Sequence, residues 1–262
     1  MERAYHDGIL TAASLMVGGA AAADAVARAR RLERLHVGLH VTVAAGPPVL
    51  PRREIPDLVD DSGNLRVGLA GAGFRFFFRR RVREQLAREI CAQFEAFRAT
   101  GLVLDHVNVH CHMQLHPTVG RLVLAIGRDY GMRALRIPAE PAALLFRAGA
   151  GPGALAVAAL HAALSAPLRR RARAAGLAVN DRLLGIAWSG AMTEARVMRL
   201  IALLPEGLSE LYSHPAASRT PRLARAMPHY RQQEELDALT SPAVRRLVAD
   251  QGIALGGYGD RA

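Results

Sequence analysis

The residues best suited to chemistry lie in one histidine-rich stretch, residues 104–117. Read at a period of two, the even positions from 106 to 116 are polar and the odd positions from 107 to 115 are apolar. The polar positions are His106, Asn108, His110, His112, Gln114 and His116. Imidazole is both the commonest metal ligand and the main acid-base group near neutral pH. The pattern therefore predicts a strand with a metal or acid-base site on one face and core on the other.

Three further segments carry candidate residues. His40 lies in Gly38-Leu39-His40 within a predicted strand, 35–43, where it is as compatible with a core or edge histidine as with a ligand. Arg136 ends a short predicted strand at 134–137. Glu210 and His214 share one face of a predicted strand at 208–215, where the pair is as compatible with a structural role as with a functional one.

The elements that must position these residues alternate between strand and helix. Apolar runs predict strands at 9–17, 35–43, 104–116, 134–137, 208–215 and 253–255, and helical patterns occur at 1–7, 20–32, 82–100, 118–130, 154–168, 193–204 and 234–251. This order predicts an α/β fold with a parallel sheet, whose sites form at the carboxyl ends of strands. No linker or internal repeat divides the chain, so one domain, 1–262, is expected.

Two apolar segments leave alternatives open. Residues 46–81 read as a loop that ends in an aromatic run from Phe74 to Phe78, which either packs under the next helix or lines a substrate groove. Residues 154–168 are apolar and run into an arginine cluster at 169–173. That segment is compatible with contact with a membrane surface or with a buried helix that has a solvated basic end.

Composition narrows the classes of function. The net charge is +11, but every basic residue is arginine in a chain rich in alanine and glycine, which indicates GC-rich codon usage as much as a binding surface. A nucleic-acid binder is not favoured, because aromatic residues make up only 5% and no recognisable module appears. Cys91 and Cys111 fit neither a disulfide framework nor a CxxC site, and Cys111 is predicted to be a packed thiol. The first residues lack the apolar core of a signal peptide, so a cytoplasmic location is expected.

With these segments in place, the chain resembles the YdjC-like carbohydrate deacetylases, and most closely the branch associated with hopanoid biosynthesis. The matching segments span nearly the whole chain in order: residues 6–16, 37–40, 105–110, 116–117, 136–138, 210–215 and 234–236. The resemblance implies an irregular (β/α) barrel of the glycoside hydrolase and deacetylase type. It also implies removal of an acetyl group from an N-acetylated sugar, such as an N-acetylglucosaminyl hopanoid lipid, at one divalent metal ion, Mg²⁺ or Zn²⁺.

The resemblance also implies roles for individual residues. His40 and His110 would bind the metal together with an aspartate, His214 would act as an acid or stabilise the tetrahedral intermediate, and Arg136 would orient the site. His112 and Glu210 are predicted to contact the substrate. The expected partners are an acetylated sugar or glycolipid, with peripheral contact at the inner face of the membrane and a homodimer as further expectations.

The sequence departs from the family at its start. The family begins with a strand that ends in two adjacent aspartates, one a ligand and one the general base, and no such strand precedes His6 in this chain. One hypothesis is that the natural start lies upstream, and its rival is a metal- or sugar-binding homologue without catalysis. Asp105 has the opposite parity to His110, so it is expected to orient a neighbour or cap its strand rather than replace a ligand.

Overall fold

The computed structural model describes residues 1–261, and the chain divides into two compact units. We call Ala12–Arg136, Leu168–Val179 and residues 257–261 the sheet unit, and Met1–Thr11, Ile137–Pro167 and Asn180–Gly256 the helical unit. The expectation of one domain over 1–262 stays a prediction.

Short strands and longer helices follow one another along the chain. In chain order, the regular elements are α1 (Glu2–His6), β1 (Ala12–Leu15), α2 (Ala22–Ala29), β2 (His36–Val41), α3 (Leu69–Phe78), α4 (Arg80–Ala99), β3 (Leu104–Val109), α5 (Pro117–Asp129), α6 (Ala142–Arg147), α7 (Pro152–Ala174), β4 (Arg182–Leu184), α8 (Glu194–Ala202), β5 (Ser209–Leu211), α9 (Pro221–Ala226), α10 (Gln232–Thr240) and α11 (Pro242–Asp250).

The sheet unit is built on three parallel strands in the order β1-β2-β3. Parallel bridges from Val107 to Leu135 and from Ala134 to Ala178 extend the pairing beyond β3. The register places His40 opposite Asn108, so the carboxyl ends of β2 and β3 lie side by side. The α/β class with parallel pairing is confirmed, and the barrel stays a prediction.

Helix α4 joins the core of the sheet unit to the segment before it. Its apolar positions Val82, Leu86, Ile90, Phe94 and Phe97 are all buried, as the helical spacing predicts. A second, polar row is buried as well: Gln85, Glu89 and Gln93. Glu89 accepts from the backbone amides of Val49 and Leu50 at 2.8 and 3.0 Å, and Gln93 bonds both backbone groups of Thr42. These bonds satisfy loop backbone groups that burial would otherwise leave without partners.

The helical unit packs α8, α10 and α11 around Leu184, with Val197, Leu200 and Val244 fully buried. Strands β4 and β5 form a separate parallel pair. Helix α1 packs on α10 through Ala4 and Leu236. Gly8 is required there because a Cβ atom would lie 2.3 Å from the carbonyl oxygen of Leu239.

Several element predictions are wrong in detail. Part of the expected loop 46–81 is helix α3, the expected tail helix 234–251 is broken into α10 and α11 at Ser241-Pro242, and residues 253–255 are not a strand. Proline explains the break, because it cannot donate to the preceding turn and suits a first helical position. Among residues 1–261, no helix has the length and apolar content that a bilayer span requires.

Candidate functional site

The histidine-rich stretch leaves the sheet after Val109, so the predicted strand 104–116 is too long. Cys111 and His112 adopt left-handed φ angles of 53° and 55°, which turn the chain into a short 3₁₀ segment, residues 110–115. Non-glycine residues adopt this conformation only at a cost of the order of 1 kcal/mol each, so strain is stored next to His110. The turn breaks the predicted row: His112 is half-buried off the strand, and Cys111 is exposed rather than packed.

His40 and His110 are brought together at the carboxyl ends of β2 and β3. His40 Nε2 and His110 Nδ1 lie 3.2 Å apart, and the two rings meet edge to face with centroids 5.4 Å apart. Burial lowers the pKa of His110, which favours the neutral ring that can bind a cation. The two residues predicted as metal ligands therefore lie side by side, and their role as ligands stays a prediction.

The spacing of the two nitrogens suits a shared cation. Two imidazole nitrogens, each about 2.1 Å from one ion and separated by 90–110° at it, lie about 3.0–3.4 Å apart. The pair therefore fits as two ligands of one ion. Among residues 1–261, no group of three His, Cys, Asp or Glu side chains is arranged to hold a metal, and the metal-binding role of the pair stays a prediction.

The amide of Asn108 connects His40 to the rest of the site. Its nitrogen donates to His40 Nδ1, and its oxygen accepts from Ser14 Oγ at 2.7 Å and from the Arg136 guanidinium at 3.2 Å. A His40 ring that accepts at Nδ1 carries its proton at Nε2, facing His110. The reversed amide would accept from His40 Nδ1 and leave Nε2 able to bind a cation. The orientation of Asn108 thus sets which nitrogen of His40 is available.

Asp105 anchors the opposite end of this network. Its carboxylate binds His106 Nδ1 at 2.8 Å and His36 Nδ1 at 3.0 Å, and it accepts from the backbone amide of Gly259 at 2.8 Å. Burial alone would raise the pKa of Asp105, but these hydrogen bonds, with His106 first, lower it to about 2. His106 Nε2 in turn lies 3.1 Å from Ser14 Oγ. The prediction that Asp105 orients a neighbour is confirmed.

Arg136 lies in the sheet unit, and its placement follows from the last bridge of the sheet. Its backbone amide donates to the carbonyl oxygen of Val107 at 2.9 Å, and the residue is buried. The guanidinium therefore reaches Asn108 from a fixed backbone position. A positive group held this way can orient a carbonyl or hydroxyl oxygen.

His214 and Glu210 belong to the helical unit. Glu210 is half-buried in β5, where it pairs in register with Leu183. His214 is half-buried beyond that strand, with its ring edge to face against Tyr212 and Tyr230 at centroid distances of 5.3 and 5.0 Å. The buried carboxylate of Glu235 accepts from the backbone amide of His214.

Glu235 also accepts from the amide of Met192 at 2.9 Å, and burial raises its pKa although these bonds oppose the rise. Its only cue in the sequence is its place in the resembling segment 234–236. Glu140 repeats the arrangement by accepting from the amides of Gly185 and Ala187 at 2.7 and 2.8 Å. Each of the two carboxylates therefore fixes the backbone of the helical unit.

The sequence predicted no role for Ser14 or for the closing segment 256–259. The Gly-Gly-Tyr-Gly composition of that segment could have indicated a close contact, because glycines permit close backbone approach. A Cβ atom on Gly257 would lie 2.2 Å from the His36 ring, and Tyr258 packs its ring against His106 at a centroid distance of 5.1 Å. These contacts hold the chain against Asp105.

Comparison with known proteins agrees with this architecture. A carbohydrate deacetylase of Geobacillus stearothermophilus is 28% identical over 254 residues, covering 96% of this chain and 86% of the relative. One from Mus musculus is 29% identical over 283 residues with the same two coverages. One from Brevibacillus brevis is 34% identical over 130 residues, 48% of each chain.

A solved structure from Enterococcus faecalis, provisionally described as a cellobiose-phosphate cleavage protein, superposes with a TM-score of 0.73 at 21% identity. It covers 99% of this chain and 91% of the other, and at that identity the likeness shows the fold alone. The family described as YdjC-like protein matches residues 1–250. The chain belongs to the YdjC-like protein family.

Proposed function

We propose that this protein is a carbohydrate deacetylase, a hydrolase that removes the acetyl group from an N-acetylated sugar. Its relatives in Geobacillus stearothermophilus and Mus musculus are named for that activity. The observation that carries the proposal is the convergence of His40 and His110 at the carboxyl ends of two parallel strands. Sites in parallel sheets form at this edge.

The chemistry is amide hydrolysis at a divalent ion, either Mg²⁺ or Zn²⁺. When bound, such an ion lowers the pKa of water and polarises the acetyl carbonyl. With the Asn108 amide reversed so that it accepts from His40 Nδ1, His40 Nε2 and His110 Nδ1 would hold the ion. Arg136 would orient the acetyl oxygen. The oxygen of water joins the acetyl carbon as a general base takes a proton from it, the C–N bond breaks to release acetate, and the sugar amine leaves with a proton that we assign to His214. His112 and Glu210 would contact the sugar.

For the substrate we propose an N-acetylglucosaminyl hopanoid lipid, met by a cytoplasmic protein at the inner face of the membrane. The branch resemblance supports this assignment.

A homodimer is a further proposal, supported by an apolar stripe on α7. Val157, Leu160 and Leu164 are 47%, 58% and 46% exposed there, so the expectation of a buried helix over 154–168 is wrong for this face. Light scattering of the full chain tests the homodimer.

A second candidate function is sugar or metal binding without catalysis. It is favoured by the absence, among the residues that the structure describes, of a third side-chain ligand beside His40 and His110. The two functions differ in whether acetate is released.

The deciding experiment measures acetate released from soluble and lipid-linked N-acetylglucosaminyl substrates, with Mg²⁺ or Zn²⁺ added or chelated. The 262-residue chain is compared with a chain extended upstream. Metal-dependent release by either chain supports deacetylation, and release by the extended chain alone assigns the remaining ligand to the added segment. If both chains bind substrate or metal and neither releases acetate, the binding function replaces the enzyme.

A further inference from the structure

Helix α3 of the sheet unit is apolar on both of its faces. Ala72, Gly73 and Phe76 are buried on the inner face. On the outer face, Phe74, Phe77 and Phe78 are 61%, 51% and 63% exposed. We call these three residues the aromatic face. Their spacing of i, i+3 and i+4 places them on one side of the helix, and Phe78 lies 4.6 and 4.9 Å from the other two ring centroids.

A basic cleft lies between α4, which follows α3 in the chain, and α5. It is lined by Arg80, Arg83 and Arg121, with Glu84 and Thr118, and we call it the arginine cleft. Arg83 donates to the carbonyl oxygen of Phe77, so the cleft borders the aromatic face. Arg80 pairs with Glu84 at 2.8 Å, but both side chains are largely exposed, and pairs of this kind contribute little. The three guanidinium groups therefore leave the cleft positive.

We propose that the aromatic face and the arginine cleft dock this protein on an anionic phospholipid surface. The phenylalanine rings would enter the boundary between headgroups and acyl chains, and the arginines would bind lipid phosphates. Charge complementarity selects this occupant. A second copy docked face to face would set one arginine cleft against another in a chain of net charge +11, which opposes association. The inference gives the proposed membrane contact a location and does not depend on acetate release.

The test is co-sedimentation of the full chain with vesicles of phosphatidylcholine alone or with about one third phosphatidylglycerol. The variant Phe74→Ser/Phe77→Ser/Phe78→Ser removes the aromatic face, and Arg80→Gln/Arg121→Gln weakens the cleft. The matched control, Val103→Ser/Phe146→Ser/Leu255→Ser, removes an equal number of exposed apolar side chains that lie on neither α3 nor α7. Thermal unfolding of each variant confirms that it is folded.

We expect binding to anionic vesicles, a loss of about 100-fold in partitioning for the phenylalanine variant, and about tenfold for the arginine variant. The Val103→Ser/Phe146→Ser/Leu255→Ser control should bind like the wild type. The proposal is overturned if the wild type does not bind anionic vesicles, if only the arginine variant loses binding, or if this control loses as much binding as the phenylalanine variant. A wild-type dimer that the phenylalanine variant converts to monomer would also overturn it.

Discussion

Asp105 in the sheet unit and Glu235 in the helical unit are both buried carboxylates, but their partners differ. Asp105 binds two imidazoles as well as backbone amides, and its pKa falls to about 2. Glu235 is held by backbone amides, and burial raises its pKa. The first carboxylate orients the side chains of His36 and His106, whereas the second fixes the backbone at Met192 and His214. The Asp105 network therefore contains ionisable side chains, whereas the Glu235 network binds backbone amides and supports the fold.

Removing Glu235 should have the largest effect on stability. Glu235→Ala would leave the buried amides of Met192 and His214 without their acceptor, at a cost of about 3 kcal/mol in the free energy of unfolding. Urea unfolding measures it. The adjacent Glu234→Ala is the control, because that side chain is 46% exposed, and it should cost less than about 0.5 kcal/mol. Equal effects of the two variants would remove the structural role given to Glu235.

Asp105→Asn tests the buried carboxylate of the sheet unit through the same quantity, the free energy of unfolding. The pKa of Asp105 falls from 3.8 to about 2 in the folded state, so its contribution is present above pH 3.8 and is lost as the pH falls through about 2. The shift corresponds to about 2 kcal/mol at neutral pH. Unfolding measured from pH 2 to 6 should show a flatter acid limb in Asp105→Asn. Asp61 is exposed, so Asp61→Asn should leave the pH dependence of stability unchanged. An unchanged pH dependence in both variants would show that Asp105 does not stabilise the fold as a carboxylate.

Substitutions of Asn108 should have the smallest effect, a change in Zn²⁺ affinity. They test whether the orientation of the Asn108 amide sets which nitrogen of His40 can bind a cation. A carboxylate only accepts, so in Asn108→Asp it could accept hydrogen bonds from both His40 Nδ1–H and the Arg136 guanidinium. We expect Asn108→Asp to bind Zn²⁺ at least as tightly as the wild type, and Asn108→Ala to bind about tenfold more weakly. Competition with a chromophoric chelator measures both affinities. Equal weakening in the two variants would show that Asn108 does not set the state of His40.

The parts of the fold that follow local rules were predictable from the sequence. The buried apolar row of α4 follows from helical periodicity, and that prediction is confirmed. The pairing of His40 with His110 was anticipated by family resemblance, and the register of β2 and β3 brings the residues together.

Other features depend on long-range contacts that periodicity does not carry. Polar and apolar residues continue to alternate past Val109, and this pattern does not predict the left-handed turn at Cys111 and His112. Gly257 lies against His36 and Asp105, which are far away in the chain, and no periodic pattern predicts that contact. Helix α3 was hidden because its glycines and phenylalanines break the usual amphipathic pattern: both of its faces are apolar.

If His40 and His110 form the deacetylation centre, His110→Ala should lose most of its acetate release. The measurement uses an N-acetylglucosaminyl substrate, saturating Zn²⁺ or Mg²⁺, and the chain length that is active. His116→Ala is the matched control, because His116 instead packs against Phe76. We expect a loss of about 100-fold or more in kcat/KM for His110→Ala and a much smaller change for His116→Ala. Wild-type activity in His110→Ala would contradict the proposed centre.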